Sequence, residues 1–298
     1  MGLISQLLYK TCLRNSTAFF MGESMTDLDW TPRSHFIELV LNGKYVGTYL
    51  LTEQIKISGH RVDVTDNGYL LEVDQAGRLD PDDVFFRTNK ILLCIKDTEI
   101  QQGSAEYNWI KNYITNLENV LYSEYFLDKE KGYAQYIDMQ SFVDWYLVQE
   151  ISKNNDGIFW SSCYMNIAPD GKLKMGPLWD FDIAFGNVNF GVCMNPTGFY
   201  IKDKSVWIER MCKDPEFMKL VRKRFDEIYK NRDQIYSFIN SQAEYLKYSI
   251  IENNAVWKNL YDYTWPNYNI WGNYENEVQA LKYFLSERLN WLNNNLPK

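Results

Sequence analysis

The chain has 298 residues, with 31 Lys and Arg against 39 Asp and Glu and a formal net charge of −8. That length allows one large domain or two small ones, and the acidic balance argues against a nucleic-acid binder, whose binding face carries a basic stripe. Two histidines (His35, His60) and five scattered cysteines without a C-x-x-C pair exclude a His-rich metal site, a zinc knuckle and a disulfide framework, so a bound metal would be held by oxygen and be Mg²⁺, Mn²⁺ or Ca²⁺.

The opening residues, MGLISQLLYKTCLRN, lack the shape of a signal peptide, because the apolar stretch is short and broken by Ser5 and Gln6. Gln6 also stands where a myristoylation motif needs Ser or Thr. No apolar run anywhere is long enough to span a bilayer. The compartment and the oligomeric state are not legible in the sequence. Leu7, Leu8, Cys12, Phe19 and Phe20 fall at helical spacing and predict a first helix over 5–21. After the breaker Trp30-Thr31-Pro32-Arg33, two β-rich runs at 35–41 and 45–52 flank Asn42-Gly43-Lys44, a strong hairpin signal. A further strand is expected at 68–74 (GYLLEVD), then an acidic loop, Asp80-Pro81-Asp82-Asp83, and a last apolar strand at 91–96. Helical periods follow at 104–121 and 139–153, with Asp138 as N-cap of the second.

Two short strands at 164–167 and 172–175, joined by Asp170-Gly171, come next. From 206 to 295 the pattern is of three or four helices, one starting at Asp214-Pro215. The basic run at 219–224 (KLVRKR) fits the solvated face of one of them. The fold class is therefore α+β, with strands first and helices second, as two lobes of one unit.

The segment 154–187, NNDGIFWSSCYMNIAPDGKLKMGPLWDFDIAFGN, concentrates the candidate chemistry. Asp156 lies where a helix gives way to a loop, in a run of turn-forming residues. Asp180 and Asp182 are set in an apolar run, where a carboxylate is costly to bury without a partner. If 180–182 is extended, alternation puts both carboxylates on one side and Phe181 on the other. Two such carboxylates repel and share a proton unless a cation lies between them. A divalent cation removes the conflict and leaves positions open for phosphate oxygens. Loop Asp, hairpin, then Asp beside Phe is also the order of parts in protein kinases, where the first accepts the substrate hydroxyl proton and the second holds Mg²⁺. The match is one of order only. No H-R-D precedes Asp156, Ser161 stands where a kinase places a metal-binding Asn, and neither a G-x-G-x-x-G nor a Walker loop occurs.

Three blocks resemble the CotH (spore coat protein H-like) kinase family, which has a divergent protein-kinase-like fold. The first is Thr31-Pro32-Arg33 with Phe36-Ile37-Glu38-Leu39 and Asn42-Gly43-x-Tyr45-x-Gly47-x-Tyr49-Leu50-Leu51-x-Glu53; the second is Gly68-Tyr69-Leu70-Leu71-Glu72-Val73-Asp74 followed by Ile95-Lys96. The third and most specific is Gly176-Pro177-Leu178-Trp179-Asp180-Phe181-Asp182-x-Ala184-Phe185-Gly186, and Arg288-x-x-Trp291-Leu292 closes the match. The resemblance implies one domain over 1–298, with a β-rich part at 1–100 and a helical lobe at 101–298. It implies ATP as cofactor with Mg²⁺ or Mn²⁺, and a protein substrate phosphorylated on Ser or Thr. Asp156 would be the catalytic aspartate, Asp180 and Asp182 the metal ligands, Lys96 a neutraliser of phosphate charge, and Glu53 a residue lining the nucleotide cleft. Family members carry a further β-rich block, with an Arg-Gly-Asn-Ser-like motif and following lysines. It ends where this chain begins, at about 3–15, so the first strands and part of the nucleotide cover are expected to be missing.

Two other readings remain. The aromatic stretch Trp257, Tyr261, Tyr263, Trp265, Tyr268, Trp271 and Tyr274 packs helices or, in a non-catalytic surface-assembly module, stacks on sugar rings or a protein partner. A glycoside hydrolase ranks last, since carboxylates at i and i+2 are too close for acid and base, leaving only Asp156 with one partner.

Overall fold

The computed structural model describes residues 2–5, 10–65, 67–96 and 99–298, an α+β arrangement with strands concentrated before residue 100 and helices after it. A three-stranded antiparallel sheet comes first, in the order β1-β3-β2, built from β1 (Gly2–Ser5), β2 (Ser34–Leu41) and β3 (Lys44–Thr52). Asn42 and Gly43 both take positive φ, 51° and 75°, with Leu41 opposite Lys44. That backbone is a two-residue type I′ turn, the geometry Asn-Gly favours.

The helix expected over 5–21 is corrected. The helix, α1, runs Arg14–Met25, and Ser5 belongs instead to the strand at Gly2–Ser5, which pairs from Gly2 opposite Thr52 to Ser5 opposite Tyr49. The open edge of β3 supplies backbone partners that the local periodicity of Leu7 and Leu8 does not reveal; residues 6–9 lie outside the described residues.

A second antiparallel sheet has the order β5-β6-β4-β7-β8, from β4 (Tyr69–Val73), β5 (Val84–Arg87), β6 (Leu92–Ile95), β7 (Cys163–Ile167) and β8 (Lys174–Met175). β5 was not among the expected strands. The β7–β8 hairpin, read as part of the helical half, joins the sheet of the β-rich half because β4 pairs β6 on one edge and β7 on the other. β4 is buried along its whole length, as a central strand covered on both faces must be.

The helices follow the sequence closely. α2 (Ala105–Leu121) is capped by Ser104 and α3 (Met139–Ser152) by Asp138. After the short α4 (Ile201–Lys204) and α5 (Ile208–Met211), α6 (Pro215–Lys230) starts on the Asp214 cap with Pro at its first turn. α7 (Arg232–Trp257) and α8 (Tyr274–Asn295) complete the set. α3 is buried at every position from Ser141 to Ser152, which marks a helix surrounded on all sides. One apolar core connects α3 with Phe36 and Leu50 of the first sheet, Leu71 and Leu93 of the second, and Leu285 and Leu289 of α8. Among the described residues no helix is long and apolar enough to cross a membrane.

Candidate functional site

α3 ends at Lys153, whose left-handed backbone (φ 49°) turns the chain out of the helix. Asn154 then caps a short 3-10 turn, Asn155–Ile158, its side-chain oxygen accepting from the Asp156 N–H at 3.4 Å. The Asn154 amide also donates to the Asp180 carbonyl at 3.1 Å. One side chain therefore ties the loop of Asp156 to the loop of Asp180. Between them the β7–β8 hairpin brings the chain back across 24 positions of sequence.

Asp156 is buried, and both carboxylate oxygens are engaged: Oδ1 accepts from Asn155 Nδ2 at 3.1 Å and Oδ2 from Ser161 Oγ at 3.3 Å. Burial holds its carboxyl above the ordinary carboxylate range; the bonds from Asn155 and Ser161 and the charge of Arg78 oppose that, and Asp182 adds to it. Asp180 accepts from Ser162 Oγ at 3.2 Å. Its carboxyl is pushed well above the ordinary range, first by burial, then by a hydrogen bond with Asp182 and by the charges of Asp182 and Asp156. The structure thus brings the three predicted carboxylates together, with Asp180 and Asp182 in direct contact.

The expected extended geometry is not found, since Asp180 is left-handed (φ 62°). Aspartate tolerates that conformation, and the bend is held by the Asn154 bond to its carbonyl and by the Phe181 N–H donating to Asn15 Oδ1 at 2.7 Å. Phe181 is nevertheless fully buried while Asp180 and Asp182 are only partly so, and the two faces are reached by a different backbone route.

Among the described residues no three His, Cys, Asp or Glu side chains converge as a metal cage, and the candidate donor set is the Asp180–Asp182 pair. Mg²⁺ is commonly held by one or two carboxylates together with water and phosphate oxygens. Two carboxylates pressed into one shared hydrogen bond, under a like charge from Asp156, form a donor set that a divalent cation relieves. The residues present fit such an ion.

Lys96 follows β6, and its Nζ lies 3.1 Å from Glu72 Oε2 on the neighbouring β4. Burial would lower the Lys96 amine, but the charge and hydrogen bond of Glu72 outweigh it and raise it. Glu72 also accepts from the Tyr164 hydroxyl at 2.8 Å, and Tyr164 feels the charge of Asp180. Lys96 and Tyr164 thus share Glu72 as partner. Glu53, by contrast, is clasped by Arg33 through the backbone N–H (3.1 Å), Nε (3.2 Å) and Nη2 (2.7 Å).

Sequence reasoning missed Glu72, Arg78, Ser161 and Tyr164 as members of the site. Glu72 had a signal, because it is a carboxylate within an apolar strand, the same feature that singled out Asp180. The chain beyond the site is also pinned. Lys153 Nζ donates to the Asn195 and Thr197 carbonyls at 2.8 and 2.6 Å. Arg288 of α8 donates to the Pro196 and Gly198 carbonyls and pairs with Glu150 of α3, both side chains fully buried.

The family described as CotH kinase protein matches residues 2–292. Comparison with curated proteins returns no match.

Proposed function

The chain belongs to the CotH kinase family, and from that premise we propose that it is a metal-dependent protein kinase transferring the γ-phosphoryl group of ATP to Ser or Thr of a protein. Residues 1–298 then form a single kinase-like domain, with a β-rich part at 1–100 and a helical lobe at 101–298. The observation that carries the reading is the convergence of Asp156 with the hydrogen-bonded pair Asp180–Asp182.

In this reading Asp156 accepts the hydroxyl proton as the substrate oxygen bonds to phosphorus and the bond to ADP breaks. Burial raises its basicity, which suits a general base, while Asn155 and Ser161 fix its orientation. Asp180 and Asp182 hold Mg²⁺ or Mn²⁺, which when bound offsets the charge of the phosphate oxygens. Lys96, set by Glu72, faces phosphate charge in the manner of the lysine–glutamate pair of protein kinases. Glu53, engaged with Arg33, acts through that pair as part of the cleft wall.

A thermal shift with ATP and Mn²⁺, compared with ADP and with metal alone, tests this. At a hundredfold excess over Kd the ligand stabilises the wild type by about 2.7 kcal/mol, and Asp180→Asn abolishes the shift. Unchanged nucleotide binding in that variant overturns the assignment.

One observation favours a second reading, a non-catalytic binding module. Tyr261, Tyr263, Trp265, Tyr268 and Trp271 are exposed, not packed between helices as the commoner pattern would have it. Tyr268 and Trp271 border a cavity of about 530 Å³ beside Phe185 and Asn187. Tight glycan binding that is indifferent to metal and nucleotide would favour that reading.

A further inference from the structure

Ser161 stands five residues after Asp156, the place where a protein kinase carries a metal-binding Asn, and here its hydroxyl is turned to Asp156 instead. The same hydroxyl receives Arg78 Nη1 at 2.9 Å. Arginine can only donate, and a Ser hydroxyl has one proton to give. The direction of the chain is therefore fixed: Arg78 donates to Ser161, and Ser161 donates to Asp156 Oδ2.

Arg78 belongs to the connection between β4 and β5, in a short 3-10 turn at Ala76–Arg78. That connection grips the Asp156 loop at a second point, where Gln75 Nε2 donates to the Trp160 carbonyl at 2.6 Å. Its other end is tied to the sheet, since Asp74 follows β4 and its N–H donates to the Leu92 carbonyl at 3.2 Å. Asp156 is thus oriented from two sides: through Asn155, whose side-chain oxygen accepts from the Tyr200 hydroxyl at 3.3 Å, and through Ser161 and Arg78. The basic group acting on Asp156 is Arg78.

We propose that Arg78 is a positioning residue for the phosphoryl-transfer reaction, orienting the Asp156 carboxylate through Ser161. The inference rests on the kinase reading above. Without Arg78 the Ser161 hydroxyl can turn its proton to other acceptors, and Asp156 loses the donor that aims one oxygen. Nucleotide binding is untouched, because Asp180, Asp182 and Lys96 hold the phosphates by separate contacts.

The test measures transfer from ATP with Mn²⁺ to casein, as a generic Ser/Thr acceptor, and Mn²⁺-ATP binding by calorimetry. Arg78→Met is expected to lower kcat by roughly 10- to 100-fold, the penalty of a misplaced reacting group, with KM for ATP and Mn²⁺-ATP affinity changed less than about twofold. Arg78→Lys, which can still donate to Ser161, restores most of the rate. Ser161→Ala lowers kcat similarly, and adding Arg78→Met to it costs nothing further, as expected of residues acting in series.

Full kcat in Arg78→Met alongside a dead Asp156→Asn overturns the positioning role and leaves the kinase reading standing. Full kcat in Asp156→Asn overturns the kinase reading itself. Hydrogen exchange of amides 155–162 decides the contact even where no transfer is seen. Faster exchange in Arg78→Met supports it, and unchanged exchange overturns it.

Discussion

At the scale of single residues, Lys153 shows how far the region around the candidate site departs from ordinary solution chemistry. Its side chain is buried and its amine is lowered to about 8, chiefly by burial and then by the charge of Arg288. Between about 8 and the usual 10.5 the unfolded chain binds a proton that the folded chain has released. Folding is therefore favoured increasingly as pH rises through that window, and the burden of the buried ammonium is greatest below it. Denaturant unfolding of wild type and Lys153→Met across this range should show the wild type gaining roughly 3 kcal/mol relative to the variant. A pH-independent difference would mean that Lys153 titrates as it does in water.

At the scale of elements, the contact between β3 and α7 turns on one glycine. Gly47 takes φ 138°, and a Cβ there would meet Trp257 Nε1 at 2.6 Å and Asn253 Oδ1 at 2.8 Å. Neither neighbour can retreat freely, because Trp257 Nε1 donates to the Val46 carbonyl and Asn253 Oδ1 accepts from the Thr48 N–H. Gly47→Ala is expected to destabilise the protein by roughly 2 kcal/mol, read as a lower denaturation midpoint; an unshifted midpoint would show that α7 does not press on the strand. This contact spans some 200 residues and leaves no mark in local sequence.

The same division separates what was legible from what was not. The hairpin at Asn42-Gly43, the cap Asp138 and the helix start at Asp214-Pro215 act within a few residues, so the local sequence reveals them. Asp180 and Asp182 stood out in the sequence because carboxylates inside an apolar run need partners, whereas Lys96 was named only through the family resemblance. Of the partners of Lys96 and Asp156, Glu72 and Arg78 come from other strands and loops, while Ser161 lies in the loop of Asp156 itself. β1 was not foreseen for a related reason: four residues pair with an edge whose openness only the folded sheet defines. β5, four residues long after an acidic loop, was too short to register as a period.

At the scale of the molecule, the buried Arg288–Glu150 pair joins the central helix, α8 and the chain following the candidate site. Glu150 accepts from the Tyr200 and Lys202 N–H groups, both at 2.8 Å, as well as from Arg288. Removing one partner strands a charge in the core, so Arg288→Met should lose about 3–5 kcal/mol. Arg288→Met combined with Glu150→Leu should lose less than the sum of the single changes. Strict additivity in chemical denaturation would show that the two groups do not depend on each other.

Arg288 also has a consequence for the order in which the protein is made. Asp156, Asp180 and the segment at 196–200 are all translated before α8, yet the guanidinium that holds that segment to α3 arrives with α8. A nascent chain that has exposed every candidate site residue on the ribosome still lacks this clamp. The clamp therefore closes last, only after α8 has emerged and docked against α3.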